Sequence, residues 1–404
     1  MDYSTTLKSN DLQTPCFVIN EDEITRLSTE IEVALKKRWK NGIVGYSFKT
    51  NNFPPLISFF KKKGFYAETV SSDEFALALE MGYVYENIIF NGPVKERASF
   101  EEAVLNGSIV NIDSQKELTW LETLGVEGND SINIGLRVNF CLENYCPGES
   151  QCGAEDGRFG FSYENGELER AVAFLREKRI TLKGLHLHCS SKTRSLNIYA
   201  AIARVASEII DKFQLELEYV DIGGGYFGGM PGKPAFDDYF SVVRDVLAKY
   251  DDLNVIIEPG MAVVGAGVDY VATVADLKRT LNNRFAVLDG SRIHIDPIKR
   301  KSSYAFEIVN LGGASNASEG AKEGEKTILC GFTCMEDDRF FALQGQDVFV
   351  GDKVVFRKVG AYTMGLSPQF IEFYPPVYRV AGGKIEMVRK KVSAKDFVMI
   401  NRGE

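Results

Sequence analysis

The stretch GIVGYSFKTNN, residues 42–52, places Lys49 at the end of an apolar run that otherwise has the composition of a buried strand. A lysine is rarely buried without a partner, and one that is removed from water loses its charge easily. The neutral amine is then a nucleophile for an aldehyde. The structural alternative is a lysine that extends its ammonium group from the strand end into solvent.

Polar residues or glycines also end seven other apolar runs of strand length. They are Glu68, Asn91, Asp113, Arg137, His188, the glycines 223–225 and Glu258. Each has a structural alternative: Arg137 and Asp113 could pair, Glu68 could cap the next helix, Asn91 could form a turn and His188 could be a core histidine. If the runs are parallel strands of one barrel, their carboxyl ends meet at one rim, where barrel enzymes carry their chemistry. We therefore expect one site.

The elements that must position these residues alternate regularly. The apolar runs are residues 43–50, 66–70, 87–92, 108–113, 132–139, 182–189, 217–224 and 254–260. Segments such as SDEFALALEMG and SQKELTWLETLG lie between them, with apolar residues at three- and four-residue steps and a glycine near the end. This alternation predicts an α/β fold with a (β/α)8 barrel over residues 37–264.

The two ends of the chain have a different pattern. Residues 9–20 have the composition of a lone strand, and β-type runs such as RFAVLDG and DKVVFRKVG dominate from about residue 265 onward. We expect residues 265–404 to form a β-rich barrel or sandwich. The N-terminal segment, residues 1–36, is expected to pack with that domain and to add its strand to it.

Composition excludes several classes of protein. The 404 residues are 45% hydrophobic and 25% charged, with a net charge of −9 and no concentrated basic patch, which argues against a nucleic-acid partner. No apolar run reaches the roughly 18 residues that span a bilayer, and the N-terminus lacks a signal pattern. We predict a cytoplasmic protein without a membrane partner.

The seven cysteines are odd in number and scattered, which does not indicate a disulfide framework. Cys141, Cys146 and Cys152 could suggest zinc, but they lack paired short spacing and a nearby histidine. Free thiols are the favoured interpretation, and no metal is predicted.

Two glycine-containing loops predict a phosphate site. The segments DIGGGYFGGMPG (221–232) and EPGMAV (258–263) follow the seventh and eighth runs, where barrels often hold a phosphate with backbone N–H groups. Gly223 to Gly228 also match G-x-G-x-x-G, but that dinucleotide motif must open a helix and this one continues into GGMPGKP. The dinucleotide interpretation is therefore rejected.

The remaining two chemical groups suit a flat cofactor. A carboxylate at Glu258 could keep a pyridinium nitrogen protonated, and the ring of His188 could stack on the cofactor. Lysine, carboxylate, flat ring and glycine cradle together describe a site for pyridoxal 5'-phosphate.

Twelve stretches, in order, resemble one known family. They are TPCFVIN, GYSFKTN, AETVSSDEFALALEMG, FNGPVKE, NIDSQKEL, LRVN, GRFGF, GLHLHCSS, DIGGGY, IIEPG, CGFTCMEDDRF and VGAYTMGLSPQFIEF. Over almost its whole length the chain is similar to the fold type III pyridoxal-phosphate decarboxylases, the group of diaminopimelate, ornithine and arginine decarboxylases.

The resemblance implies roles for individual residues. Lys49 would bind the cofactor covalently, Glu68 would lie beside it where the family usually has aspartate, His188 would stack on the ring and Glu258 would pair with the ring nitrogen. The other cofactor-binding positions would be Arg137, Ser191, Gly224, Gly225, Gly260 and Tyr362, with Ser191, Gly225, Gly260 and Tyr362 at the phosphate. Cys334 would enter the active site of the other subunit of a homodimer and help to protonate the carbanion. Considered alone, Cys334 would be a small buried hydrophobe.

Two departures from the family pattern bear on the ligands. The family usually continues E-P-G with arginine, but this chain has Met261; Arg292 or Lys299 could substitute. The residue after the family's cysteine is commonly acidic and reads a distal ammonium group, but this chain has Met335, with Glu336 and Asp337 as further substrate-binding candidates.

The implied activity is that of a lyase: decarboxylation of an amino acid to the amine. Because of the departures we expect a modified or conjugated amino acid, as in siderophore or antibiotic pathways. The alternatives are a diaminopimelate decarboxylase of lysine biosynthesis, an amino-acid racemase, which lacks the FTCMED type of motif, and a non-catalytic cofactor carrier, which would resemble the barrel alone.

Overall fold

A computed structural model describes residues 3, 7, 12–153, 155, 157–311, 325–343 and 346–403. The chain divides into two compact units, which we call the barrel unit (Leu27–Ala262) and the β unit (Met1–Arg26 with Val263–Glu404). The sequence suggests boundaries at 36/37 and 264/265, and the limits of the functional domains stay a prediction.

The strands follow one another along the chain with these bounds. They are β1 (Cys16–Asn20), β2 (Ile43–Ser47), β3 (Tyr66–Thr69), β4 (Ile88–Phe90), β5 (Ile109–Ile112), β6 (Asn133–Asn139), β7 (Phe161–Ser162), β8 (Leu182–His186), β9 (Tyr219–Asp221), β10 (Asn254–Ile257), β11 (Val268–Arg279), β12 (Arg284–Leu288), β13 (Phe306–Val309), β14 (Thr327–Cys330), β15 (Arg339–Leu343), β16 (Lys353–Phe356), β17 (Val377–Ala381) and β18 (Lys384–Arg389).

Most of the α-helices lie between strands of the barrel unit, and α10 and α11 lie in the β unit. The α-helices are α1 (Glu21–Arg38), α2 (Pro54–Lys62), α3 (Ser72–Glu80), α4 (Arg97–Leu105), α5 (Gln115–Leu124), α6 (Glu167–Glu177), α7 (Leu196–Phe213), α8 (Phe236–Leu247), α9 (Met261–Val264), α10 (Arg292–Ile295) and α11 (Ala394–Ile400). No helix among the described residues combines the length and apolar composition needed to cross a membrane.

The eight predicted runs all form strands of one closed parallel barrel. The strand order is β2-β3-β4-β5-β6-β8-β9-β10, and β10 pairs back to β2. The strands are short and rich in buried isoleucine and valine, as expected for parallel strands covered on both faces. The predicted (β/α)8 barrel is confirmed, and its closure brings the carboxyl ends of all eight strands to one rim.

Local signals fix where the helices between these strands begin and end. The hydroxyl of Ser71 accepts a hydrogen bond from the backbone N–H of Glu74 and caps α3, while Glu74 accepts from the N–H of Val70. Gly125 ends α5 with φ 70°, a left-handed conformation that glycine adopts without strain. Both predicted amphipathic segments are therefore helices.

The β unit is built on a mixed sheet that includes the N-terminal strand. β1 runs antiparallel to β11 and parallel to β17, and its Cys16 and Val18 pack with Val271, Val355 and Val380. The predicted joining of the N-terminal strand to the β-rich region is confirmed. The strand begins at Cys16, and residues 9–11 of the predicted run lie outside the described residues.

Candidate active site

Lys49 and Glu68 form an ion pair at the rim of the barrel. Lys49 lies in a single 3-10 turn, Phe48–Thr50, directly after β2, and Glu68 lies on β3 in register with Ser47. Lys49 Nζ is 3.2 Å from Glu68 Oε2, and the lysine side chain is 36% exposed whereas the glutamate side chain is fully buried. The buried Glu68 therefore holds the lysine amine, while the exposed part of the lysine side chain remains accessible at the rim of the barrel. Because Ser71 caps α3, Glu68 is not the helix cap.

Asn91 links two buried carboxylates. Its Nδ2 donates to Glu68 Oε1 at 3.0 Å and to Glu258 Oε1 at 2.5 Å. Asn111 orients the amide by donating to Asn91 Oδ1 at 2.8 Å. Asn91 is thus part of a hydrogen-bond network across the barrel interior, and its side chain does not serve a local turn.

Glu258 lies in a buried cluster with His186 and Asp221. Glu258 Oε2 is 3.6 Å from His186 Nε2, and ligand atoms of the three side chains lie within 4.8 Å of one another. Asp221 Oδ1 accepts from the backbone N–H of Gly223 at 2.9 Å, while the buried Oδ2 has no hydrogen-bond partner in the described part of the chain. Two buried carboxyl groups this close do not both ionise readily, so one of them is kept protonated.

The electrostatics of this cluster keep Glu258 ionised. Burial and the neighbouring Glu258 raise the pKa of Asp221 well above its usual range. Burial also opposes ionisation of Glu258, but the neighbouring His186, Lys49 and Asp221 hold the pKa of Glu258 below its usual range. The site therefore presents one fixed carboxylate at the end of the eighth barrel strand.

The same three side chains are the compact group of possible metal ligands that the described residues contain, with ligand atoms within 4.8 Å of one another. A protonated Asp221, whose pKa burial and Glu258 raise, accounts for the closeness of the two carboxyl groups without an ion, and the absence of a metal stays a prediction. All seven cysteines are free thiols, and the group contains none of them.

His188 is a partly exposed neutral ring beside the glycine loop. Its Nδ1 accepts from the backbone N–H of Gly224 at 3.2 Å. Desolvation and the positive charge of Lys49 lower the pKa of His188 to about 3. At Gly223, where φ is +68°, a Cβ would approach His188 Nδ1 to 2.3 Å. The ring is therefore placed by the loop, and it is not a core histidine.

The loops after β9 and β10 form a backbone cradle that only glycine permits. A Cβ on Gly224 would lie 2.2 Å from the carbonyl oxygen of Glu258, and one on Gly260 would lie 1.9 Å from Thr50 Oγ1. Gly225 has φ +98°. Such backbone can approach a phosphate closely, so the cradle, with Lys49 and the Glu258 carboxylate, fits pyridoxal phosphate.

A cavity of about 260 Å³ opens beside His188. Arg137, Phe140, Cys141 and Phe159 are among its lining residues. Arg137 Nε lies 3.7 Å from Asp113 Oδ1, and its guanidinium stacks on Phe159 with 4.7 Å to the ring centroid. The Arg137–Asp113 pair, the structural alternative for these residues, is thus present but long; Arg137 also lines the cavity next to His188, and its binding of the cofactor stays a prediction.

The predicted residues of the β unit occupy one loop and one turn. Cys334 is exposed, Glu336 pairs with Arg339 at 3.2 Å, and Asp337 pairs with Lys299. Exposure argues against a buried-hydrophobe role for Cys334. The side chain of Tyr362 is exposed on backbone with φ 55°. The roles of these residues toward cofactor or substrate stay predictions.

The buried Asp338 shapes the loop that presents Cys334 and Met335. Its Oδ2 accepts from Ser291 Oγ at 2.9 Å and from Thr333 Oγ1 at 2.7 Å. Arg292, one of the two suggested substitutes for an arginine at Met261, pairs with Asp296 at 2.8 Å. Since the other, Lys299, pairs with Asp337, both cations already have carboxylate partners.

Sequence reasoning missed His186, Asp221 and Asn111. Strand periodicity could have found the first two, because His186 lies two residues before His188 and Asp221 two before Gly223, which places each pair on one side of the backbone. Nothing in the sequence marks Asn111 within the run SIVNID.

The family model described as "Pyridoxal-dependent decarboxylase, pyridoxal binding domain" matches residues 22–265. The chain belongs to the pyridoxal-dependent decarboxylase family. Its cofactor is pyridoxal phosphate, in agreement with the cradle, the lysine and the carboxylate described above, and it is a pyridoxal-dependent amino-acid decarboxylase.

Curated relatives of this decarboxylase cover nearly the whole chain. A probable chloroplastic diaminopimelate decarboxylase of Oryza sativa is 27% identical over 401 residues, which are 96% of this chain and 79% of the relative. An L-glutamyl-[BtrI acyl-carrier protein] decarboxylase of Niallia circulans is 27% identical over 396 residues, 90% of this chain and 89% of the relative. The diaminopimelate decarboxylase of Helicobacter pylori is 26% identical over 398 residues, with 95% and 94% covered.

Solved structures share the fold of this decarboxylase. The diaminopimelate decarboxylase from M. jannaschii in complex with L-lysine superposes with a TM-score of 0.82 at 20% identity, covering 98% of this chain and 93% of the other. The arginine decarboxylase of Paramecium bursaria Chlorella virus bound to agmatine gives 0.76 at 19% identity, covering 93% and 99%.

Proposed function

We propose that this enzyme decarboxylates an amino acid presented as a conjugate and releases the corresponding amine. The observation that carries the decarboxylation is the buried, ionised Glu258, held by Asn91 where the ring nitrogen of the cofactor would bind. Bound pyridoxal phosphate supplies an electron sink for the electron pair of the bond to the departing carboxylate.

The residues of the chain have distinct tasks in this reaction. Lys49 would hold the cofactor until the substrate amine binds, and Glu68 orients the lysine nitrogen at 3.2 Å. The Glu258 carboxylate would accept a hydrogen bond from the ring N–H of the cofactor and so favour the protonated ring. His188 offers a neutral ring face that adds no competing positive charge, since its pKa is about 3. Cys334 of a second subunit would return a proton to the α-carbon.

The side chain of Met335 favours a conjugated substrate over a free diamino acid. Its thioether cannot form an ion pair with a distal ammonium group, whereas the family commonly has a carboxylate at this position. The relative from Niallia circulans acts, by its name, on a glutamyl group attached to a carrier protein. Such a substrate has no distal ammonium group to recognise.

Diaminopimelate remains the second candidate substrate, because several relatives of comparable identity are diaminopimelate decarboxylases. The test is carbon dioxide release by the holoenzyme from diaminopimelate, ornithine, arginine and a glutamyl thioester of a short pantetheine analogue. The proposal predicts turnover of the thioester and weak turnover of the free diamino acids. Efficient turnover of free diaminopimelate would assign the second function instead.

A racemase and a decarboxylase can be distinguished by whether the α-carbon loses its hydrogen or its carboxylate. When an active substrate is incubated with the enzyme in heavy water, we expect carbon dioxide release and one deuterium on the α-carbon of the amine product. Exchange of the α-hydrogen without carbon dioxide release would reject decarboxylation.

We propose that the enzyme is a two-fold homodimer whose active sites lie at the interface. We also propose that it acts in the cytoplasm. Lys49→Ala and Cys334→Ala homodimers would each carry two damaged sites, whereas a mixed dimer would carry both lesions in one site and leave the other intact. After random subunit exchange, activity should recover to roughly a quarter of wild type, because about half of the dimers are mixed. No recovery despite demonstrated exchange would place Cys334 outside the partner's site.

A further inference from the structure

Arg194 lies against Met261, the residue that replaces the arginine expected after E-P-G. Arg194 Nη2 is 3.3 Å from Met261 Sδ, and both residues belong to the barrel unit. Met261 directly follows Gly260 of the cradle. A guanidinium group therefore occupies the neighbourhood in which the chain itself lacks a cation at position 261.

The guanidinium is also packed on the glycine loop. Its central carbon lies 5.3 Å from the ring centroid of Phe227, which follows Gly225 by two residues. Stacking on an aromatic face restricts a guanidinium while leaving its N–H groups at the edge free to donate. Arg194 thus spans the two segments, 223–228 and 260–261, that form the predicted phosphate cradle.

The backbone of Arg194 is held in an uncommon conformation. Its φ is 53°, in the left-handed region that a residue other than glycine seldom adopts. The backbone N–H donates to Ser191 Oγ at 3.1 Å, and Tyr239 Oη donates to the carbonyl oxygen at 2.8 Å. Two side chains therefore fix the direction in which Arg194 leaves the loop, which also carries the predicted phosphate ligand Ser191.

The charge of Arg194 has no carboxylate partner within the ranges that the structure describes, because its side-chain contacts there are to a thioether and to an aromatic ring. Arg292 and Lys299 differ in this respect, since each is paired with an aspartate. An unneutralised guanidinium next to a backbone cradle is a bidentate donor for a phosphate group.

We propose that Arg194 binds the phosphate of the cofactor and takes the place of the arginine that is absent at position 261. The proposal rests on the chain being a pyridoxal-phosphate enzyme and adds the residue that supplies the positive charge. In this proposal Arg194 contacts only the phosphate group of the cofactor and does not contact the pyridine ring.

The test compares the affinities of the apoenzyme for pyridoxal phosphate and for pyridoxal, which lacks the phosphate, by equilibrium dialysis. In Arg194→Met we expect the Kd for pyridoxal phosphate to rise at least about tenfold, as for the loss of a charge-assisted hydrogen bond. The Kd for pyridoxal should not change. Arg204→Met, the same change at an exposed position of α7, should leave both affinities as in wild type.

The double variant Arg194→Met/Met261→Arg returns a cation to the cradle from the other side and should recover most of the affinity for pyridoxal phosphate. Wild-type affinity in Arg194→Met would overturn the proposal and leave the decarboxylase assignment intact. An equal loss of affinity for both ligands, without recovery in the double variant, would also overturn the proposal, because that result would show that Arg194 has a structural role. A wild-type protein that binds neither ligand would reject the cofactor itself.

Discussion

Asn91 Nδ2 lies 2.5 Å from Oε1 of Glu258 and thereby ties the end of the third barrel strand, β4, to the end of the eighth, β10. The same nitrogen bonds Glu68, the partner of Lys49. One neutral amide therefore separates two buried carboxylates and donates to both. This arrangement couples the lysine side of the site to the side that would hold the ring nitrogen.

Removing the Asn91 amide should lower activity substantially. In Asn91→Leu both carboxylates lose a donor, and a hydrogen bond to a charged group is worth about 1.5–3 kcal/mol, so kcat/KM should fall roughly 10- to 150-fold. Asn91→Asp keeps the shape but adds a third carboxyl group, and should be more damaging. Steady-state kinetics of the three proteins, each loaded with cofactor, checks the order; an Asn91→Leu variant within about twofold of wild type would contradict it.

A methyl group at Gly223 should displace the ring of His188. The added Cβ would meet His188 Nδ1 at 2.3 Å, so the histidine must rotate away from the Gly224 N–H. Gly125→Ala is the matched control, because Gly125 has φ +70° and nothing within 4 Å of an added Cβ. Both variants should lose about 1 kcal/mol of stability from the backbone conformation, and Gly223→Ala should lose more because the histidine ring must move. Only Gly223→Ala should lose affinity for pyridoxal, measured by equilibrium dialysis.

The repeated pattern of the sequence was sufficient to predict the barrel. Each strand carries its own apolar signal, and the segments around Ser71 and Gly125 carry their own helix limits. The side chains at the strand ends, such as Lys49 and Glu258, could then be grouped without knowing any distance, because parallel strands meet at one rim.

The interior network could not be predicted in the same way. Asn111, Tyr219 and Asn91 meet only because the barrel closes, with Tyr219 Oη donating to Asn111 Oδ1 at 3.2 Å from a strand 108 residues away. The contact between Arg194 and Met261 likewise depends on a left-handed backbone angle at Arg194, which nothing in the segment SSKTRS indicates.

The buried His294 of the β unit should make stability depend on pH. Burial lowers the pKa of His294 to about 4, and its Nδ1 lies 2.5 Å from Tyr270 Oη. The unfolded chain, with a histidine pKa of about 6.5, takes up the proton first as the solution is acidified. The contribution of His294 is therefore complete above about pH 6.5 and is lost as the pH falls towards 4, by roughly 3 kcal/mol.

The check is a comparison of wild type with His294→Gln, which does not titrate in this range. Urea unfolding from about pH 7 down to about pH 4 should show the wild type losing roughly 3 kcal/mol more than the variant. Parallel pH dependences would show that the histidine is protonated or solvated in the folded state. The carboxyl groups titrate in both proteins and cancel in the difference.

The lysine that holds the cofactor covalently can be located directly by chemical reduction. Borohydride reduction of the holoenzyme followed by peptide mass spectrometry should find the pyridoxyl phosphate group on the peptide that contains Lys49. The Lys49→Ala protein, which retains the exposed Lys192 and the buried Lys95 near the same rim, should carry no label and release no carbon dioxide. Label on Lys192, Lys95 or another lysine, or normal turnover by Lys49→Ala, would show that Lys49 is not the lysine that binds the cofactor.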